Sequence, residues 1–308
     1  MKIGILGVGG VGSLVASRLC LSDNEIFCFG SEKSNLFIKS NGILMESSFY
    51  GNTKVFPNNN INLKDKLDIL FITVKGTYLI SALKKYRNHF NENTVAISLL
   101  NGLGHKELIR KEFNIKLIVA SIGSLEVSLN SKRIAIHKTK IKPFVEMYSN
   151  DKNLYKTMIF LKNLLNSISI NTEILEDENN VIWRKLRRLC VISTITSMQN
   201  TTIGHVRDDK DLRKIMIKLI NEICSITIKA GIKTNQRDLL EEIENLPYDL
   251  KTSMQKDIYS GKPSEIEYIL KAPLIYGNKL GLELPNMNYC YKFLKNIINN
   301  SDNKKIYD

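Results

Sequence analysis

The sequence is short of the residues that build cross-links and metal centres. It contains five cysteines and four histidines among 308 residues, with no C-x-x-C pair and no cluster of histidines. An odd, scattered set of cysteines indicates reduced thiols of a cytoplasmic protein rather than disulfides. The isolated histidines argue against a zinc-like site. We therefore expect no metal and a cytoplasmic location.

Long apolar runs are also missing. No stretch approaches the roughly eighteen apolar residues that a membrane-spanning helix needs. The N-terminal run after Lys2 is rich in glycine, is interrupted by Arg18, and lacks a small-residue cleavage pattern, so it does not fit a signal peptide. We expect neither a membrane partner nor a removable leader.

Acidic residues are outnumbered. Against 44 lysines and arginines stand 31 aspartates and glutamates, which gives a net charge of +13. This excess is compatible with nucleic acid, an anionic membrane, a phosphorylated cofactor or a carboxylate substrate. The basic residues are spread along the chain without a long basic tail, which disfavours general nucleic-acid binding. We expect a small-molecule partner.

The chain is long enough for two domains. Its first half alternates strand-like runs with helical patterns, beginning with strands at residues 2–6 and 25–29 around a helix at 10–21. Such alternation predicts a parallel sheet. Strand-like runs at 115–127 and 133–136 follow and indicate a less regular second portion. From about residue 180 the spacing is helical. The predicted fold is an α/β Rossmann-type domain with a parallel sheet, residues 1–176, followed by an all-α domain, residues 177–308.

A glycine motif opens the chain. The hexapeptide fits G-x-G-x-x-G, follows a strand-like run and opens a helix, as a dinucleotide site requires. Its three motif glycines would allow a tight turn, a close approach to the pyrophosphate and close packing of helix on strand. The predicted nucleotide-binding residues here are Gly7, Val8, Gly9, Gly10, Val11 and Gly12.

The end of the second strand bears on the choice of cofactor. Phe29 is followed by Gly30, Ser31, Glu32 and Lys33. Sites that prefer NAD usually carry an acidic residue that binds the ribose 2′-hydroxyl. A small hydroxyl at Ser31 and a cation at Lys33 suit a 2′-phosphate instead, although Glu32 would oppose it if it pointed inward. We favour NADPH over NADH; Lys33 could also be a solvated helix residue.

Several further motifs follow in order along the chain. They are Val74-Lys75, residues 99–104 (Leu-Leu-Asn-Gly-Leu-Gly), Trp183-Arg184-Lys185-Leu186, Ser253-Met254, Asp257, Pro263-Ser264-Glu265-Ile266 and the turn at 281–285. With the N-terminal glycines, they resemble the ketopantoate reductase (2-dehydropantoate 2-reductase) family nearly end to end.

The resemblance implies an NADP-dependent oxidoreductase that reduces 2-dehydropantoate to pantoate in pantothenate and coenzyme A biosynthesis, with an active site in a cleft between two domains. It implies that Lys185 is the catalytic proton donor and Glu265 the active-site carboxylate, both in contact with substrate. Asn101 and Lys75 would line the nicotinamide end of the cofactor, Asn101 also the substrate, and Ser253 would bind substrate.

Each of these side chains also has a structural explanation: Asn101 could be a loop residue that tolerates unusual backbone angles, and Lys75 could be a solvated surface lysine. Lys185 could be a helix lysine with its charge in solvent, and Ser253 could merely cap a helix. Glu265 could be a first-turn acid favoured by the helix dipole. Because Ser264 and Glu267 fit a capping box, we expect Glu267 to serve the helix and leave Glu265 to the substrate.

Two positions depart from the family pattern. The family has Asn four and eight residues after the catalytic lysine, where this chain has Leu189 and Ser193; residues 269–271 differ as well. Ser193 could still hydrogen-bond a substrate. A paralogue that reduces another 2-keto acid therefore remains open, as does, more remotely, a non-enzymatic cofactor-sensing or nucleic-acid-binding protein. The helical second half offers surfaces for a possible homodimer.

Overall fold

The computed structural model describes residues 1–58, 66–123 and 125–306. The chain forms two compact units. The first contains Met1–Leu100 and His105–Val181, and the second contains Asn101–Gly104 and Ile182–Asp308. The four-residue segment 101–104 thus belongs to the second unit although its neighbours in sequence belong to the first.

The first unit contains two sheets. A seven-stranded sheet has the order β11-β10-β7-β6-β5-β1-β2, and a four-stranded sheet has the order β4-β3-β9-β8. The strands are β1 (Lys2–Leu6), β2 (Glu25–Phe29), β3 (Ile43–Ser47), β4 (Gly51–Val55), β5 (Ile69–Ile72), β6 (Val95–Ser98), β7 (Lys116–Gly123), β8 (Val127–Leu129), β9 (Ala135–His137), β10 (Phe144–Tyr148) and β11 (Asn171–Ile174).

Helices make up most of the second unit and connect the strands of the first. They are α1 (Gly10–Leu19), α2 (Glu32–Asn41), α3 (Leu79–Lys85), α4 (His105–Glu112), α5 (Tyr155–Ser167), α6 (Glu178–Gln199), α7 (Ile203–Asp208), α8 (Lys210–Lys229), α9 (Gln236–Glu244), α10 (Ser253–Tyr259), α11 (Ala272–Lys279) and α12 (Pro285–Ile306). A π-helical segment, Glu267–Lys271, precedes α11.

The centre of the large sheet is parallel, as predicted. Strand β1 pairs in parallel with both β2 and β5, and β6 pairs in parallel with β5 and β7. Every residue of β5 and β6 is buried, because helical crossovers cover both faces of such a sheet and favour uninterrupted apolar runs. The prediction of a Rossmann-type α/β unit followed by a helical one is confirmed.

The small sheet was not predicted as a sheet, although its strand β9 overlaps the strand-like run at 133–136. Strands β3 and β4 form a hairpin, and β9 pairs in parallel with β3 and antiparallel with β8. The strand-like run at 115–127 is divided between β7 of the large sheet and β8 of the small one, so its reading as one strand was wrong. These strands are three to five residues long and only partly buried, and apolar patterns of that length carry little signal.

The second unit has its own core. Trp183, Leu186, Cys190 and Ile195 of α6 are buried among apolar side chains of the other helices. Every residue of α6 from Cys190 to Met198 is buried, so the second half of this helix is enclosed on all sides. In the described part of the chain, no helix combines the length and the apolar character needed to cross a bilayer.

Candidate active site

The glycine motif forms a turn between β1 and α1 in the first unit. Gly7 has φ +102°, a conformation that side chains disfavour, and its N–H donates to the Phe29 carbonyl at 2.7 Å. The hydroxyl of Thr73, after β5, donates to the Gly7 carbonyl at 2.7 Å and fixes the turn from the other side. The turn thereby joins β1 to the ends of both neighbouring strands.

Space around the motif agrees with a dinucleotide site. A Cβ atom added at Gly12 would overlap the Gly7 carbonyl, so helix and turn pack closely there. A Cβ atom added at Gly9 meets no described atom within 4 Å. The backbone at Gly9 is therefore open to a ligand, and α1 starts immediately after it. A pyrophosphate is suited to this position.

The end of β2 lies against the same motif. A Cβ atom added at Gly30 would lie 2.8 Å from Cγ2 of the buried Val8. Ser31 is exposed and is the N-cap of α2, where its hydroxyl accepts from the Ser34 N–H at 3.2 Å. Lys33 is exposed, and no ion pair is found for it among the described residues. Ser31 and Lys33 are thus accessible to a ligand.

Gly30 is held by side chains that the sequence did not single out. Its N–H donates to Asn35 Oδ1 at 2.8 Å, and its carbonyl accepts from the Tyr86 hydroxyl. Asn35 also donates to that hydroxyl at 2.9 Å. Lys75 follows β5 in the same unit, is partly buried, and precedes a short 3₁₀ turn, Gly76–Tyr78. The predicted cofactor residues of the first unit therefore follow β1, β2 and β5.

Lys185 and Asn101 meet in the second unit. The Lys185 Nζ atom donates to Asn101 Oδ1 at 2.7 Å, although 84 residues separate them. Burial, and to a smaller extent the charge of Arg188, lowers the pKa of Lys185, whereas Glu265 raises it; the resulting pKa is about 8, against an ordinary value near 10.5. A lysine of this kind can exchange a proton near neutral pH.

The segment 101–104 is fixed on the π-helical segment. Gly102 has φ +103°, and an added Cβ atom there would lie 2.6 Å from Cβ of Tyr268. The Leu103 N–H donates to the Tyr268 carbonyl at 3.0 Å. These contacts hold Asn101 in place for Lys185. The sequence signal for this segment was a glycine that follows a buried strand and the polar residue Asn101. That signal did not identify Tyr268 as the residue that the segment contacts.

Glu265 is buried, with 7% of its surface exposed, and its carbonyl accepts from the Tyr268 and Ile269 N–H groups. The predicted capping box is wrong, because no hydrogen bond joins Ser264 to Glu267 in the described structure. Glu267 instead forms ion pairs with Lys271 at 2.9 Å and Lys295 at 3.3 Å. The carboxylate of Glu267 therefore binds two lysines and does not cap the helix.

The other predicted substrate residues differ in environment. Ser253 is exposed in the first turn of α10, whose N-cap is Thr252, so Ser253 does not serve as the cap. Ser193 is fully buried, and its hydroxyl finds no hydrogen-bond partner within the described residues. Leu189 packs against the core of the second unit. The helical spacing puts Leu189 and Ser193 on the α6 face that carries Lys185.

Comparison with known proteins adds evidence of relationship. Residues 3–145 match the family model described as Ketopantoate reductase PanE/ApbA, and residues 177–298 match that of its C-terminal part. The 2-dehydropantoate 2-reductase of Pyrococcus abyssi is 24% identical over 287 residues, covering 92% of this chain and 94% of that protein.

Solved structures share the fold. A ternary structure of D-mandelate dehydrogenase with NADH and anilino(oxo)acetate is 18% identical with a TM-score of 0.87, covering 97% of this chain and 99% of that one. A dimeric ketopantoate reductase from Staphylococcus aureus is also 18% identical, with a TM-score of 0.81 and the same coverage of both chains. At these identities the likeness establishes the fold.

Proposed function

The chain belongs to the ketopantoate reductase family, and on that premise we propose that it reduces 2-dehydropantoate to pantoate with NADPH. The chain is an oxidoreductase of the pyridine-nucleotide-dependent type. The specific reaction would be a step of pantothenate and coenzyme A biosynthesis. The observation that carries this proposal is the pairing of Lys185, whose pKa is lowered to about 8, with Asn101.

The residues of the first unit fit a dinucleotide. The open backbone at Gly9 and the start of α1 would hold the pyrophosphate. Ser31 and Lys33 would face the adenosine ribose and its 2′-phosphate, and Lys75 would contact the nicotinamide half. When bound, the reduced nicotinamide supplies a hydride to the carbonyl carbon of the substrate.

Lys185 would supply the proton. As the carbonyl carbon is reduced, negative charge develops on the carbonyl oxygen, and a donor is required there. With a pKa of about 8, the Lys185 ammonium is mostly protonated at neutral pH and still gives up its proton readily. Product formation leaves a neutral amine, which regains a proton from solvent.

Asn101 and Glu265 would position the reacting groups. The Asn101 Oδ1 atom accepts from Lys185 Nζ and fixes the direction of the ammonium. The buried carboxylate of Glu265 favours the protonated form of Lys185 and would accept a hydrogen bond from a substrate hydroxyl. Ser253 and the unpartnered hydroxyl of Ser193 would bind the rest of the substrate.

A second candidate is a reductase of another 2-keto acid. Leu189 is only partly buried and stands on the Lys185 face where the family pattern has Asn, and a leucine there favours a less polar substrate than an amide would. The structural likeness to D-mandelate dehydrogenase points the same way.

We also propose a homodimer, as in the Staphylococcus aureus relative, and a cytoplasmic location, which the five free cysteines favour.

The test is a screen of 2-keto acids with purified protein. Oxidation of NADPH and of NADH would be followed with ketopantoate, 2-ketoisovalerate, pyruvate and benzoylformate. We expect kcat/KM to be highest for ketopantoate with NADPH. A clear preference for benzoylformate would replace the first candidate by the second, and turnover with none of them would contradict both.

A lysine variant tests the assigned acid. We expect Lys185→Ala to lower kcat by about 10²- to 10⁴-fold, the usual contribution of a general acid, while NADPH binding is retained. Lys218→Ala, which removes an exposed lysine of α8, is the matched control and should leave kcat unchanged. Equal turnover of the Lys185→Ala variant and the unaltered protein would refute the assignment.

A further inference from the structure

The turn between β8 and β9 places an arginine beside the proposed cofactor site. The Asn130 N–H donates to the Ile134 carbonyl at 3.0 Å, and the Arg133 N–H donates to the Asn130 carbonyl at 3.0 Å. Arg133 has φ +61°, the left-handed conformation that closes hairpin turns of this kind. This turn belongs to the small sheet and lies far in sequence from the glycine motif and from β2.

The side chain of Arg133 reaches the start of α2. Its Nη2 atom donates to the Ser34 hydroxyl at 2.6 Å, and its guanidinium lies 5.7 Å from the centre of the Phe37 ring. The Ser34 hydroxyl is in turn 2.8 Å from the hydroxyl of Ser31. One short chain of hydrogen bonds therefore connects the guanidinium to the exposed residue that follows β2.

This position adjoins the glycine motif. Gly30, which precedes Ser31, packs directly on Val8. The first residue of β8 approaches the motif as well, because a Cβ atom added at Gly10 would lie 2.6 Å from the Val127 carbonyl oxygen. In Rossmann folds the adenosine ribose of the cofactor lies at the end of the second strand, and an arginine nearby can accommodate a 2′-phosphate.

The guanidinium has donors to spare. It is partly buried, and within the described residues it forms one hydrogen bond and no ion pair with any carboxylate. An arginine has five N–H donors arranged as a planar fork, which matches a phosphate oxygen pair better than a single hydroxyl. Lys33, the cation that the sequence suggested for this role, is exposed.

We propose that Arg133 is a specificity-determining residue that binds the 2′-phosphate of the cofactor, together with Ser31. This inference rests on the proposed use of NADPH and deepens it, because it assigns recognition of the phosphate to the β8–β9 turn rather than to α2 alone. If Arg133 merely tethered the turn to α2 through Ser34, its replacement would change the binding of nucleotides with and without a 2′-phosphate equally.

The experiment measures nucleotide binding by calorimetry on the full chain, without any reaction. The probes are adenosine 2′,5′-bisphosphate and adenosine 5′-monophosphate, which differ only in the 2′-phosphate. The variant is Arg133→Gln, which retains part of the aliphatic stem and removes the guanidinium that lies near Phe37. Lys132→Gln removes the same charge from the exposed neighbouring residue and is the matched control.

We expect the unaltered protein to prefer the bisphosphate and Arg133→Gln to reduce that preference by about tenfold, with 5′-monophosphate binding unchanged. Lys132→Gln should keep the preference. If Arg133→Gln keeps it too, or loses both ligands equally, the inference is overturned while NADPH use stands. If the unaltered protein shows no preference, the inference and the proposed NADPH specificity both fail. Should Arg133→Gln not fold, the same comparison with Arg133→Lys decides, with a smaller reduction expected because the charge remains.

Discussion

The proposed proton transfer by Lys185 depends on opposing influences on its amino group. Burial and the positive charge of Arg188 disfavour the ammonium form of Lys185, whereas the negative charge of Glu265 favours it. Burial is the largest of these influences, and the resulting pKa is about 8. Lys185 must carry its proton to act as an acid, so activity should decline as the pH rises through this pKa.

Two substitutions should move that alkaline decline in opposite directions. Arg188→Gln removes a like charge, so the pKa of Lys185 rises and the decline in kcat shifts to higher pH. Glu265→Gln removes the opposite charge, so the pKa falls and the decline shifts to lower pH, in addition to a loss of kcat from the proposed substrate contact. The measurement is kcat against pH for both variants.

The matched control is Arg213→Gln. Arg213 also lies in the second unit and forms an ion pair with Glu244, with Nη2 and Oε1 2.7 Å apart, but it does not contribute to the pKa of Lys185. Its loss should leave the pH profile in place. Shifts of the same sign for Arg188→Gln and Glu265→Gln would show that the observed decline is not the titration of Lys185.

The segment 101–104 gives a prediction at the scale of an element. Gly102 and Gly104 both have positive φ, so alanine is strained at either position, by about 1–2 kcal/mol. Only at Gly102 does an added Cβ atom also collide with Tyr268; nothing described lies within 4 Å at Gly104. We expect Gly102→Ala to lower the free energy of unfolding by roughly 1–3 kcal/mol more than Gly104→Ala.

Activity should separate the two variants as well. Gly102→Ala should force the segment away from Tyr268, so that Asn101 moves away from Lys185 and kcat falls. Gly104→Ala causes no such collision and should leave the hydrogen bond between Asn101 and Lys185 in place. Thermal unfolding and steady-state kinetics on the two proteins measure both effects. Equal losses of stability and of kcat would mean that the contact with Tyr268 does not position Asn101.

Elements differ in how far the sequence could predict them. Strands β1 and β2 and helices α6 and α8 were recognisable because their apolar residues recur over whole elements. The hairpin of β3 and β4 has a largely exposed second strand and gave no pattern. The helix expected from residue 264 begins instead after Glu265 and opens with a π-helical segment, in which Glu267 pairs with Lys271 and Lys295.

The candidate site shows a related limit at the scale of the whole chain. Motifs in the sequence identified Lys185, Asn101 and Glu265. The hydrogen bond between Lys185 and Asn101 could not be predicted, because it joins residues 84 positions apart. Arg133 belongs to no motif, and its proposed role follows only from the approach of the β8–β9 turn to α2. Long-range contacts of this kind depend on how elements distant in sequence pack together, which local patterns do not specify.

The net charge of +13 gives a prediction for the molecule as a whole. A positively charged protein attracts anionic ligands, and dissolved salt screens this attraction. The screening length falls from about 30 Å at ~0.01 M ionic strength to about 3 Å at ~1 M. We expect kcat/KM for NADPH to fall by about tenfold over this range while kcat changes little, because association is affected and the chemical step is not. NADH, which lacks the 2′-phosphate, is the matched ligand and should show a shallower decline. Equal slopes for the two cofactors would mean that the positive charge does not act on the 2′-phosphate.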